Sequence, residues 1–323
     1  MVPRRHFLAA TGVFASGLGA AAIGRAADGA APESSVLTLQ IPRTNGSIEP
    51  RRSITSSKLG WSYEIDIALP ESYRRSKDRK YPVLWVTDGP QMFNLAVGIT
   101  GGLAVGEEAP EVIVVAVGCP VEDGALDWIR RRNIEFVPPG AEYYWDGPQG
   151  DMFKRLLGGR KQPKGQADDF LAFLIDIVRP ALAADYRMAE DHALFGHSGG
   201  GLFTCYALFA RPDGFSRYII GSPSLNAVDR ACFKLEQSYA ATHKDLPASV
   251  FFGAGEKEVS DPGLAAWGIL SSEALMAETL KLRQYPSLKL ATRIFPGKDH
   301  LTVIPDILGE GIRTVWADKT KTT

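Results

Sequence analysis

The chain has 323 residues, 45% hydrophobic and 23% charged, which suits one large α/β domain or two small ones and excludes collagen, coiled coil and general disorder. Its formal net charge is −1, so the chain lacks the strongly basic character of a nucleic-acid-binding protein and no nucleic-acid partner is expected. Three cysteines are too few for a disulfide framework, and no tight His/Cys cluster predicts a metal site.

The first residues predict an export signal that does not belong to the fold. Arg4 and Arg5 supply a positive start, an apolar stretch rich in Ala and Gly continues to about Ile23, and small residues follow at a plausible cleavage site. The paired arginines resemble a twin-arginine (Tat) signal, so the Tat export machinery is the expected partner. We therefore expect a Tat-type signal over 1–30 and an exported, periplasmic protein. An uncleaved N-terminal anchor is the alternative.

The rest of the chain predicts strands that alternate with helices, as in a wound α/β sheet. Residues 42–58 are polar and predict a loop between two edge strands, whereas 61–69 alternate in polarity like a half-buried strand. The continuous apolar runs 81–86 and 112–117 predict central strands of a parallel sheet. Further strands are predicted at 192–196, 217–221, 249–254 and 288–295, and helices over 166–185 and near 200–210, 263–284 and 302–316. With no later break in composition, a single domain is expected over 31–323.

Residues 120–165 predict a long irregular insertion, and long loops in compact domains are usually functional. We expect this insertion to cover the site as a lid. Arg130 and Arg132 are candidates to attract an acidic or catecholate-bearing substrate, and Tyr144 and Trp145 are candidates to stack on an aromatic acyl group. The alternative is that at most one of the arginines faces the pocket and that the aromatic side chains pack within the lid.

The segment 195–200, Phe-Gly-His-Ser-Gly-Gly, carries the clearest chemistry. A predicted strand precedes it and a predicted helix follows it, which is the context of a nucleophile elbow. Gly196 and Gly200 leave room for the sharp turn. Ser198 is the candidate nucleophile, and the Gly199 N–H, at the start of a helix, is a candidate oxyanion donor. The alternative is a glycine-rich turn with a helix-capping serine.

His300 is the candidate general base, because a serine hydroxyl becomes a good nucleophile only when a base removes its proton. Of the five histidines, His300 lies on the loop after the last predicted strand, at the sheet edge where sites form in wound folds. The others are assigned to the signal, the elbow strand or a polar segment. His197, next to the serine, is kept as a candidate substrate contact.

Three carboxylates after strand 249–254 compete for the task of orienting the imidazole: Glu256, Glu258 and Asp261. The acid of such a triad lies between the serine and the histidine in chain order, which all three satisfy. We favour Glu258, with Glu256 as the alternative, and expect the remaining carboxylates to be solvated loop charges.

The second oxyanion donor is expected from the loop after strand 81–86. This loop begins Thr-Asp-Gly-Pro-Gln, and Pro90 has no N–H to donate. The donor is therefore Gly89 or Gln91, and the sequence does not choose between them.

With these motifs the chain resembles the putative-esterase branch of the α/β-hydrolase superfamily, which includes esterase D and bacterial trilactone siderophore esterases. The segments that carry the resemblance are 84–89, 166–174, 195–200, Arg211-Pro212, 221–225, and Gly297 with His300. The resemblance implies an α/β-hydrolase fold with a mostly parallel central sheet flanked by helices. Pro90 departs from the branch, as does Asn226-Ala227, where a tryptophan is common.

The resemblance also implies the roles of the site residues: Ser198 as nucleophile, His300 as base and Glu258 as acid, with no metal or organic cofactor. We therefore predict a serine-dependent carboxylic ester hydrolase that forms an acyl-enzyme on small-molecule esters, such as siderophore trilactones or other aromatic esters. An acyltransferase with the same triad and a non-catalytic hydrolase-like binding protein are the alternatives.

Overall fold

A nine-stranded sheet organises the chain in the computed structural model, which describes residues 46–141, 151, 154–155, 158–159 and 164–319. Its strands are β1 (Ser47–Ile48), β2 (Arg52–Ser56), β3 (Trp61–Leu69), β4 (Tyr81–Val86), β5 (Ile113–Gly118), β6 (Met188–His197), β7 (Arg217–Gly221), β8 (Ser249–Gly255) and β9 (Lys289–Phe295). They lie in the order β1-β3-β5-β4-β6-β7-β8-β9, and β2 also pairs with β3. The strands from β5 to β9 along this order are parallel, whereas β3 is antiparallel to β1, β2 and β5.

Helices connect the parallel strands. They are α1 (Gly89–Val105), α2 (Gly124–Glu135), α3 (Ala167–Ala172), α4 (Arg179–Ala183), α5 (Gly199–Ala210), α6 (Ala231–Thr242), α7 (Pro262–Trp267), α8 (Ile269–Arg283) and α9 (Ile304–Val315). A π-helical stretch, Phe173–Val178, joins α3 to α4, so the helix predicted over 166–185 is confirmed. Among the described residues, none of the helices is both long and apolar enough to cross a membrane.

Alternate residues of the central strands contribute to two separate hydrophobic cores. In β4, Val83 and Trp85 belong to the core that contains Phe203 of α5, whereas Leu84 and Val86 belong to the core beneath α1 and α9. Successive side chains of a strand point to opposite faces of the sheet. A parallel strand covered by helices on both faces is therefore apolar at every position, which is why these strands stand out in the sequence.

Three predictions of local structure are corrected. Residues 42–58 were expected to form a loop, but β2 pairs with β3 throughout, because an edge strand can keep polar side chains on its solvated face. The sequence predicts an irregular segment over 120–165, but α2 lies within it. An ion pair from Arg132 to Asp88 and a hydrogen bond from Arg131 to the carbonyl of Ser62 connect α2 to other segments. The single helix predicted near 263–284 is divided at Gly268, whose φ of 60° ends α7 and begins α8.

Glu135, the last residue of α2, couples the stability of the fold to pH. It is 3% exposed and accepts a hydrogen bond from the Tyr63 hydroxyl at 2.6 Å. Burial raises the pKa of Glu135 to about 7 from its ordinary 4.5, against the opposing effect of the Tyr63 hydrogen bond, and the charge of Asp88 adds to the rise. The folded protein therefore retains a proton that the unfolded chain loses between these two values.

Glu135→Gln is expected to remove this pH dependence. The protonated carboxyl of Glu135 makes its full contribution to the free energy of unfolding below pH 4.5. This contribution is lost as the pH rises through about 7. The free energy of unfolding of the variant, relative to wild type, should therefore rise by on the order of 3 kcal/mol between pH 4 and pH 8. Urea unfolding at both pH values measures this change. A difference between the two proteins that is the same at pH 4 and pH 8 would contradict the assignment.

Candidate active site

Ser198 stands at the turn between β6 and α5. β6 ends at His197 and α5 begins at Gly199, and Ser198 between them has φ 59° and ψ −117°, a strained conformation for a residue other than glycine. The Ser198 N–H donates to the carbonyl of Gly221 at the end of the neighbouring strand β7, at 2.9 Å. This turn is the strand–turn–helix elbow that the sequence predicted, and the serine at its apex is partly exposed.

Two glycines are required by close packing at this turn. A Cβ on Gly196 would lie 2.1 Å from the carbonyl oxygen of Gly200, and a Cβ on Gly200 would lie 2.5 Å from Oγ1 of Thr87. Both distances are far shorter than any van der Waals contact, so a side chain at either position would force the turn apart. The prediction that these glycines leave room for the elbow is confirmed.

The loops after β8 and β9 bring a carboxylate and an imidazole together. Glu258 lies in a short 3₁₀ turn, Glu256–Val259, and His300 lies between β9 and α9. Nδ1 of His300 is 2.9 Å from Oε1 of Glu258, whose side chain is fully buried. A buried carboxylate on one ring nitrogen sets the orientation and the tautomer of the imidazole, and it leaves Nε2 for a second partner.

The other two candidate acids bond to the backbone. Glu256 is exposed, and its Oε2 accepts a hydrogen bond from the Gly297 N–H at 2.7 Å. Asp261 caps the start of α7 by accepting from two backbone N–H groups. Of the three carboxylates proposed from the sequence, the structure therefore pairs Glu258 with His300 and gives Glu256 and Asp261 structural contacts.

His197 packs against His300. The two ring centroids are 4.6 Å apart, and His197 is only 5% exposed, with both ring nitrogens buried. Burial lowers the pKa of His197 most, and the charge of a protonated His300 lowers it further. The pKa is held well below its usual range, so the ring is neutral. The predicted substrate contact from His197 does not agree with this burial, because Gly221 and His300 enclose the imidazole.

A further buried carboxyl, Glu273 of α8, lies behind the Glu258–His300 pair. It is 4% exposed, and α8 packs against the Glu256–Val259 turn. Burial and the nearby Glu258 carboxylate raise the pKa of Glu273 well above its usual range, which favours its neutral form. Sequence reasoning missed Glu273, because nothing in a local pattern distinguishes it from a glutamate on the solvated face of a helix.

Two backbone N–H groups remain candidates for the oxyanion hole. Gly199 is the first residue of α5, so its N–H lies at a helix N-terminus directly after Ser198. In the loop after β4, the Gln91 N–H already donates to the carbonyl of Asp88, at 3.0 Å. Of the two donors that the sequence left open, Gly89 therefore remains the candidate, because it is the first residue of α1 and its N–H has no acceptor within the helix.

Arg132 of α2 binds the loop that precedes Gly89. Its Nε lies 2.7 Å from Oδ1 of Asp88 and its Nη2 lies 3.0 Å from Oδ2, while the Trp128 indole N–H also donates to Oδ1, at 2.9 Å. Nη2 of Arg132 is 3.4 Å from the carbonyl oxygen of His197. The structure therefore pairs the guanidinium of Arg132 with an aspartate beside the elbow, and the substrate contact from this arginine stays a prediction.

The remaining predicted substrate contacts are Arg130, Tyr144 and Trp145. Arg130 is exposed and forms a surface ion pair with Asp127, at 2.7 Å, in place of the predicted substrate contact. Tyr144 and Trp145 lie outside the described residues, so their stacking role and the lid remain predictions. Within the described ranges, no group of three or more His, Cys, Asp or Glu side chains is placed to hold a metal ion.

Comparisons with known proteins identify one family and several similar proteins. The family described as Putative esterase matches residues 56–303. The siderophore enterobactin esterase of Emericella nidulans is 33% identical over 172 residues, which is 50% of this chain and 54% of that protein, so the match spans about half of this relative's length. The ferri-bacillibactin esterase BesA of Bacillus subtilis is 24% identical over 278 residues, which is 81% of this chain and 87% of that protein.

A solved structure supports the fold. Siderophore hydrolase EstA from Aspergillus nidulans matches with a TM-score of 0.71 at 22% identity, over 85% of this chain and 95% of that structure. At this level of identity the match bears on architecture alone. It confirms the predicted α/β fold with a mostly parallel sheet between helices.

Proposed function

The chain belongs to the Putative esterase family, and we propose that it is a serine hydrolase that cleaves the ester bonds of siderophores, with Ser198, His300 and Glu258 as its catalytic triad. The observation that carries this proposal is the hydrogen-bonded Glu258–His300 pair, whose imidazole packs against the residue before the elbow serine. A strained elbow, a buried carboxylate and a partly exposed imidazole form the combination that activates a serine hydroxyl.

In the first half of the proposed reaction, Nε2 of His300 takes the proton of the Ser198 hydroxyl, and Oγ attacks the ester carbonyl carbon. Glu258 holds the Nδ1–H and stabilises the imidazolium. The N–H groups of Gly199 and Gly89 stabilise the negative oxygen of the tetrahedral intermediate, and each such donor contributes roughly 3 kcal/mol. The intermediate then collapses, the alcohol leaves with the proton from His300, and an acyl-enzyme remains.

In the second half, water attacks the acyl carbonyl and His300 accepts its proton. The same two N–H groups stabilise the second tetrahedral intermediate. The acid leaves, and His300 returns the proton to Ser198 Oγ. In a polyester ring the departing alcohol stays attached to the substrate, so the first cleavage opens the ring and later cleavages release smaller units.

The siderophore class is proposed from the relatives, two of which are named as esterases of enterobactin and ferri-bacillibactin. Purified protein incubated with enterobactin should give products that have gained one water per cleaved ester, as measured by liquid chromatography and mass spectrometry. p-Nitrophenyl acetate serves as the general ester control. Hydrolysis of the nitrophenyl ester without any cleavage of enterobactin would overturn the siderophore proposal and leave the esterase proposal intact.

The acyltransferase alternative uses the same acyl-enzyme with an alcohol in place of water. The same incubation with added acceptor alcohol distinguishes the two, because an acyltransferase forms a new ester at the expense of the free acid. Ester products that dominate at low alcohol concentration would favour the acyltransferase.

A Tat-type signal over 1–30 and a periplasmic location remain proposals, since these residues lie outside the described ranges. They rest on the paired arginines Arg4 and Arg5 ahead of an apolar stretch. Export that continues in cells without the Tat translocase would overturn the Tat-type signal, and recovery of the protein only in the cytoplasmic fraction would overturn the periplasmic location.

A further inference from the structure

Asp88 occupies a demanding position between β4 and α1. Its backbone has φ 55° and ψ 45°, in the left-handed region that favours glycine, and the residue is 4% exposed. It directly precedes Gly89, the proposed second oxyanion donor. The direction of the Gly89 N–H therefore depends on the conformation of Asp88, because one peptide plane joins the two residues.

Arg132 and Trp128 hold the Asp88 side chain from one helix. These two residues are one turn apart on α2, and both donate to Oδ1, while Arg132 also donates to Oδ2. A bidentate pair between a guanidinium and a carboxylate is strong and directional, and this one has an almost fully buried aspartate. Arg132 thus restrains both the position and the rotation of the carboxylate.

The same guanidinium reaches the other half of the oxyanion hole. Nη2 of Arg132 lies 3.4 Å from the carbonyl oxygen of His197, the residue before Ser198. Gly200 also faces the pair closely, since a Cβ on it would lie 3.4 Å from Oδ2 of Asp88. The Arg132–Asp88 pair therefore lies between the two segments that carry the proposed donors, one in the β4–α1 loop and one at the start of α5.

Two aromatic residues, one in α2 and one directly after it, restrict the position of the Arg132 guanidinium. Its guanidinium carbon lies 4.9 Å from the ring centroid of Trp128 and 5.4 Å from that of Phe136, four residues before and after it. The guanidinium thus makes cation–π contacts with two aromatic rings spaced four residues to either side of it. This packing leaves the guanidinium little freedom to turn away from Asp88.

We propose that Arg132 is a positioning residue for the oxyanion hole, and that with Asp88 it sets the spacing and direction of the Gly89 and Gly199 N–H groups. The inference rests on the proposed function. Arg132 acts through Asp88 and the backbone, and it touches neither the substrate nor the reacting atoms. Its loss should therefore weaken stabilisation of the transition state and leave binding of the ground-state substrate unchanged.

The test compares three variants on p-nitrophenyl acetate. Arg132→Gln removes the bidentate pair, and kcat is expected to fall by about 10- to 100-fold with little change in KM, less than for outright loss of one oxyanion donor. Arg132→Lys keeps the positive charge but loses the planar guanidinium, so its kcat should lie between those of Arg132→Gln and wild type. Arg131→Gln is the matched control, because Arg131 has similar exposure (14% against 19%) but bonds to Asp123 and to the carbonyl of Ser62.

A second readout separates positioning from a merely structural role. A trifluoromethyl ketone forms a tetrahedral adduct that places an oxyanion in the hole, whereas a non-hydrolysable amide analogue binds only as ground state. In Arg132→Gln the inhibition constant of the ketone should rise by the same factor by which kcat falls. Binding of the amide should not change, and the Tm should fall no further than in Arg131→Gln.

Each other outcome overturns the inference in a distinct way. Equal weakening of ketone and amide binding in Arg132→Gln would make this arginine a substrate contact. If folded Arg132→Gln had the same kcat as Arg131→Gln, Arg132 would have no positioning role. If wild type itself neither hydrolysed an ester nor bound the ketone, the proposed function would fail first, and the positioning role with it.

Discussion

Ser198→Ala is expected to lower kcat for ester hydrolysis by about 10⁴- to 10⁶-fold, since the loss of the nucleophile removes the covalent route and leaves only the contributions of binding and the oxyanion hole. Fold stability should change little. The serine side chain is partly exposed, and the elbow is held by the backbone bond from Ser198 to Gly221 and by the packing of Gly196 against Gly200, none of which involves the hydroxyl.

Labelling with a fluorophosphonate, read by intact mass, measures the same activation without a choice of substrate. Wild type should gain one adduct, and Ser198→Ala should gain none. Ser216→Ala is the matched control, because Ser216 precedes β7 at the opposite end of the sheet and bonds to Asp191. Labelling of the folded Ser198→Ala variant would show that another residue is the nucleophile. A folded wild type that stays unlabelled would favour the binding-protein alternative.

Glu258→Gln should give the second largest effect, a fall in kcat of about 10³- to 10⁴-fold. A glutamine amide can donate to Nδ1 of His300, which places the proton on the wrong nitrogen, and it carries no charge to stabilise the imidazolium. The effect depends on the fully buried side chain of Glu258 and on its 2.9 Å contact with Nδ1, since an electrostatic interaction is stronger in a buried site than in water.

Glu256→Gln provides the matched control for this prediction. It changes the same residue type two positions earlier in the same turn, and its amide oxygen can still accept the Gly297 N–H. Because Glu256 is exposed, kcat should stay within about twofold of wild type. A large loss in Glu256→Gln with normal activity in Glu258→Gln would reverse the assignment of the acid, and normal activity in both would mean that His300 works without a carboxylate.

The site is assembled from segments far apart in the chain, each at the carboxyl end of a parallel strand. β4 leads to Asp88 and Gly89, β6 to Ser198, β8 to Glu258 and β9 to His300. Since the carboxyl ends of parallel strands lie at one edge of the sheet, order along the sequence becomes proximity in space. The substrate proposed here, a siderophore ester, would meet all of these groups at this one edge.

Local patterns in the sequence determined the main elements and two of the proposed catalytic residues. A continuous apolar run marks a strand buried on both faces, so strands such as 81–86 and 217–221 agree with the structure. Ser198 was identified because a strand, a glycine-rich turn and a helix adjoin in the chain, and His300 because it follows the last strand. These signals are short-range, and each depends only on its neighbours along the chain.

Only the tertiary structure decided which of several similar groups face one another. Glu256 and Glu258 look alike in sequence, and their contacts differ because other elements bury Glu258 and leave Glu256 exposed. The sequence makes Arg132 a candidate substrate contact, and only the fold places Asp88, distant in the chain, against its guanidinium. Burial and long-range pairing depend on how helices and strands pack. A local pattern of polarity therefore does not specify which distant residue a side chain will contact.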